Sequence, residues 1–127
     1  MNPFEIIWQN FPHCIEHRDD SFLGVLHEES RIDMQAYWQL EWAVVQLTQN
    51  QVDYPRSLSW PVFRIFSHTM ILIKANANPE DGYKIQDFDS ETSSDFTERL
   101  QLVFEGFFRG DPPDLKLGFD ERNPLLE

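Results

Sequence analysis

Apolar residues recur along much of this chain at the spacing of helices that bury one side. The clearest run begins at Phe96, with Phe96, Leu100, Val103, Phe104 and Phe107 at i, i+4, i+7, i+8 and i+11. Asp95 and Glu98 fit a capping box at its start, and Gly110 followed by Pro112 and Pro113 marks its stop. A second helix is predicted after Ser30 and Asp33, which read as another capping box. In the run MQAYWQLEWAVVQLTQ, Tyr37, Leu40, Ala43, Val44 and Leu47 make one apolar face, while Trp38, Trp42 and Val45 make a second. Only Gln35, Gln39 and Gln46 form a clean polar strip, so this helix should be central and covered from two sides. Glu41 falls between the two faces, where an unpaired carboxylate is costly; it is expected to reach a partner such as Arg64, or water at an edge.

Residues 61–75, PVFRIFSHTMILIKA, are rich in β-branched residues. Their length, and the narrow strip of Arg64, Ser67, His68 and Lys74, favour a mostly buried helix capped by Ser59 with Pro61 in its first turn. Residues 3–10 read as a short helix ended by Phe11 and Pro12. SFLGVLHEES is too short for periodicity to separate helix from strand, and is read as another short helix. A loop is expected from His13 to Asp20 and a turn from Asn78 to Gly82, with a short extended segment near 83–88. The tail from Leu115 to Glu127 has no sustained period; Leu115, Leu117 and Phe119 are expected to anchor it, with the last residues frayed. The pattern predicts an all-α fold, a single globular domain over 1–127 with about four to five helices.

Composition agrees with such a domain. The chain has 127 residues, 41% of them apolar, enough for a core that needs no disulfide or structural metal. Cys14 is the single cysteine, which excludes an intrachain disulfide and suits a reducing compartment. The opening MNPFEIIWQNFP has no basic region and its apolar run is broken by Glu5 and Gln9, so neither a signal peptide nor a membrane span is read, and a cytoplasmic protein is expected.

Charge changes the picture more. A formal charge of -12 repels nucleic acid and anionic membrane, and speeds encounter with a basic partner. The same charge also keeps a protein soluble and has no need of a partner. It is concentrated between Asn78 and Glu98, where seven carboxylates face the single base Lys84.

Catalytic and metal chemistry find little support. His13 and His17 are four apart, but Pro12 precedes them, the pattern is not HExxH, and no third zinc ligand lies near in sequence. The acidic run from Asp87 to Asp95 lacks the glycine and terminal glutamate of a calcium loop, and no glycine-rich phosphate loop is present. Cys14 beside His13 or His17 is weak support for a dyad, which distant segments normally assemble. Neither a metal nor a cofactor is expected, nor an enzyme. What remains is surface chemistry: Glu80, Asp81, Tyr83, Asp87, Asp89 and Glu91, with Asp111 and Asp114 beyond the last helix, combine carboxylates with aromatic and proline elements suited to a lysine- or arginine-rich protein surface. The plainer alternative is an acidic solvated loop.

The opening NPF with Trp8, the YWQLEW helix, the PVFRIF segment and the stretches NPEDGYKI and VFEGFFRGDPPD together resemble immunity proteins of bacterial contact-dependent inhibition and related polymorphic toxin systems. The resemblance spans most of the chain. It implies a small cytoplasmic protein, not an enzyme, that binds one cognate toxin domain as a monomer in a one-to-one complex. The toxins of such systems are often basic nucleases acting on RNA, some of the EndoU type. The competing expectation is an acidic secretion chaperone or adaptor, which binds a partner without inhibiting it and which a homodimer would favour.

Overall fold

A computed structural model describes residues 1–114 and 120–126. Among them the fold is all-α, with helices α1 (Pro3–Gln9), α2 (Phe22–Glu29), α3 (Met34–Asn50), α4 (Arg56–Ala77) and α5 (Ser90–Arg109), followed by a 3-10 turn over Pro124–Leu126. No strand occurs among the described residues, and the connector over 83–88 is irregular. The anchors expected at Leu115, Leu117 and Phe119, and Glu127, lie outside the described residues.

Helix α3 is central, as its two apolar faces require. It packs most extensively against α1 and α5, while α4 covers α5, α2 and α1 from another side. Tyr37, Leu40, Ala43, Val44 and Leu47 are buried with Phe22, Leu26, Ile65, Leu100, Phe104 and Phe107 in one core. Buried Asn10 ties two helices together: its Nδ2 donates to the Ile6 carbonyl, and its Oδ1 accepts from the Leu23 amide.

Three helix starts differ from the sequence reading. Ser30 does not cap α3; it is the left-handed C-cap of α2 (φ 54), and Asp33 alone caps α3 by accepting from the Ala36 amide. Asp95 and Glu98 lie inside α5, which begins at Ser90 with Asp89 as N-cap. Helix α4 begins at Arg56 after Pro55, not at Ser59, with no side-chain cap. Pro61 is the sixth residue of the helix, past its first turn, and its missing N–H leaves the Ser57 carbonyl without that ladder bond. Nor is α4 mostly buried: Trp60, Phe63 and Ile71 are 49%, 53% and 60% exposed.

Helix α5 ends as its sequence requires. Gly110 takes the left-handed conformation (φ 78), and its amide donates to the Gly106 and Phe107 carbonyls. The chain then folds back so closely that a Cβ at Gly106 would lie 2.8 Å from Pro113 Cδ and 2.9 Å from the Asp111 carbonyl. Tyr54 stacks on Phe107 at 4.0 Å between ring centroids, fastening the α3–α4 connection to this end of α5.

Candidate functional site: an acidic groove over a buried ion pair

Glu41 is fully buried, and Arg99, not Arg64, is its partner. The guanidinium meets the carboxylate in a two-pronged contact, Nε to Oε1 at 2.6 Å and Nη2 to Oε2 at 2.9 Å. The Tyr37 hydroxyl donates to Oε1 at 3.0 Å and Asn123 Nδ2 donates to Oε2 at 3.1 Å. Arg99 also donates through Nη1 to the Glu121 carbonyl at 2.7 Å, and its guanidinium lies over the Trp38 ring, 4.8 Å from the centroid. Every carboxylate oxygen of Glu41 therefore has partners, as a buried charge demands. Burial, reinforced by the Glu41 charge, pushes the Tyr37 phenol well above its ordinary range. Burial alone would depress the Arg99 guanidinium, but hydrogen bonding and charge from Glu41 outweigh it and raise it.

Above this network lies an open groove of about 570 Å³ between the start of α3, the connector before α5, the first turns of α5 and residues 120–121. Its apolar floor comes from Ile32, Met34, Trp38, Phe88 and Phe96. Around it stand Asp87, Asp95, Glu98, Asp120 and Glu121. The two cations that also line it are already engaged, Arg99 with Glu41 and Arg31 with Glu29 at 3.3 Å. The groove is thus a greasy channel with a net negative rim.

The carboxylates picked out from the sequence fall into separate places. Asp87 stands on the groove. Asp89 is beside it as the α5 N-cap, its Oδ1 accepting from the Thr92 amide at 2.8 Å, a bond that holds its carboxyl below the usual range. Glu91 is exposed in the first turn of α5. Glu80 and Asp81 are exposed in the turn after α4, where Asp81 accepts from the Tyr83 amide and Lys84 Nζ donates to the Asn78 and Asp81 carbonyls. Tyr83 is half-buried and its hydroxyl donates to the Leu26 carbonyl, so it braces the connector against α2 and does not stand out from the surface. Asp111 and Asp114 follow the other end of α5, where the chain folds back beside Gly106, about 25 Å along the helix axis from Asp89. Asp111 is 3.5 Å from Arg109 there. One rigid surface contact of ordinary size does not need both ends.

Asp95, Glu98, Asp120, Glu121 and the aromatic floor were not legible as a site. The first two had been absorbed into a presumed cap, and the second two into the tail. A signal did exist for the ion pair: Arg99 borders the apolar face that runs from Phe96 to Phe107, one turn before Val103.

Other reactive groups are quiet. The Cys14 thiol donates to the Trp8 and Phe11 carbonyls, and burial pushes its pKa up, the opposite of an activated nucleophile. His27 Nδ1 and His68 Nε2 are 3.4 Å apart; burial, then Arg64 and the other histidines, lower the His68 pKa. Among the described residues no three His, Cys, Asp or Glu side chains are grouped to hold a metal, and no helix is long and apolar enough to cross a membrane. No protein family, curated protein or solved structure matches this chain.

Proposed function

We propose that this protein is an immunity protein: it binds a basic toxin domain, one per chain, and neutralises it by covering the surface that holds the toxin's substrate. The observation that carries this reading is the groove, where an aromatic and aliphatic floor is ringed by Asp87, Asp95, Glu98, Asp120 and Glu121. A lysine or arginine from the partner can lay its hydrocarbon stem on Trp38 and Phe96 while its charged head meets the rim. A surface that holds RNA carries lysine and arginine to meet the phosphates, so it suits this rim. Charge then speeds the encounter, and the desolvated aromatic contact slows the release.

The test is to mix the protein with the C-terminal domain of a large exported protein encoded beside its gene, and to co-express the two. The expected result is a tight complex with one toxin domain per chain and loss of toxicity. The triple charge reversal Asp87→Lys, Asp95→Lys and Glu98→Lys should slow association at low salt and abolish protection while leaving the fold intact. Absence of binding, or equal protection by the reversed variant, overturns the reading. Binding with toxicity intact would instead make the protein an adaptor.

A further inference from the structure

Helix α4 turns a surface of a different kind to solvent. Over Arg56–Ala77 it has no carboxylate at all, in a chain with 22 of them, and it carries Arg56, Arg64 and Lys74. At about 100° per residue, Arg56, Trp60, Phe63, Ser67, Ile71 and Lys74 share one side. All of these are exposed except Ser67, which is partly so. Large apolar side chains in a row on the outside of a helix mark a contact surface.

We propose that a second copy of this chain covers this face, in an antiparallel α4–α4 contact about a two-fold axis beside Ser67. Ser67 lies midway along the face, and its small side chain lets two helices approach at the crossing. Antiparallel pairing around it sets Phe63 of one copy against Ile71 of the second copy. Trp60 then meets Lys74 of the second copy, ring to ammonium. Arg56, at one end, comes beside the turn that holds Glu80 and Asp81 at the other end of the second copy's helix. Each of these contacts occurs twice, as a two-fold interface requires, and the pairing closes at two copies.

Charge selects the same occupant. Two chains of -12 repel wherever their carboxylates meet, and α4 is a helix whose outer side brings none. If each of the three apolar side chains hides about half of the ~200 Å² that such a residue can bury, they remove about 300 Å² per copy. That is about 600 Å² in all, below the range of stable specific interfaces, and implies a weak, reversible dimer. No α4 residue lines the groove, so pairing leaves each groove open and goes beyond the function proposed above. A dimer also suits the adaptor reading, and toxicity on co-expression, not mass, separates those functions.

Sedimentation equilibrium of the full chain, from low micromolar to near-millimolar concentration, tests the pairing. The expected mass rises from one chain to two, more readily at high salt, where repulsion between the two acidic bodies is screened. Phe63→Lys and Ile71→Glu should each weaken the dimer at least tenfold without changing the circular dichroism, because both side chains already face water. Combining them restores the dimer, since the new lysine then faces the new glutamate of the other copy. Ile15→Glu, at an even more exposed residue off α4, should leave it unchanged. A single-chain mass at every concentration and salt, or failure of the double variant to recover, overturns the proposal.

Discussion

Two aromatic-lined surfaces of this molecule differ in the sign of the charge around them. The groove sets Trp38, Phe88 and Phe96 among carboxylates, while the outer side of α4 sets Trp60 and Phe63 among arginine and lysine. Their foundations differ as well. The groove stands on a fully bonded ion pair that fixes Trp38 and Glu121 in place, whereas the α4 face is simply the side of a helix that the core did not need. Net charge alone would have suggested one uniform negative field; the fold instead separates it into a negative channel and a helix without acids.

The largest effect expected on this comparison comes from Arg99→Leu. It strands Glu41 in the core and removes the cation over Trp38, and should cost about 3–5 kcal/mol in urea unfolding. A loss below ~1 kcal/mol would mean that the groove does not rest on this pair. The charge reversal on the groove rim comes next, with association to the toxin domain slowed about tenfold or more at low salt and much less at high salt. Asp89→Ala removes the α5 cap beside the groove and should cost about 1 kcal/mol, read from the denaturation midpoint. It should leave the α4 face unaffected.

The smallest effect belongs to the α4 side. The His68 pKa is lowered by burial and by neighbouring cations, so the folded state binds fewer protons than the unfolded chain just below the ordinary value of 6.5. Stability should therefore fall as pH drops below about 6.5 and level off beneath the folded pKa. His68→Gln should flatten that slope in thermal melts across the window; an unchanged slope would assign the pH dependence to other groups.

How far the sequence could be read follows from what each signal depends on. The longer helices were legible because burial of one side imposes a period that survives any uncertainty about neighbours, whereas α2 is too short for its period to separate helix from strand. Their starts were less so. Ser30, Asp33, Asp89 and Asp95 all have the chemistry of a cap, and which ones act is decided by where the connecting chain turns. That misplacement hid part of the groove, because Asp95 and Glu98 were read as capping groups and not as the outer side of α5. The rest of the groove needed residues 120–121 brought back by Asn123, whose Nδ2 donates to the Trp38 carbonyl as well as to Glu41. Arg99 was chosen over Arg64 for a similar reason: the backbone of α5 lies close against α3, while that of α4 stays farther off.

The Glu41 network also has a consequence in time. Arg99 is 58 residues away from Glu41 in sequence and Asn123 is 82, so these bonds close long loops and bring little gain until the helices are already docked. They should be absent from the folding transition state and present only in the finished protein. Removing Asn123 should then leave the refolding rate nearly unchanged and quicken unfolding, which makes the clasp beneath the groove a determinant of how long each folded molecule lasts.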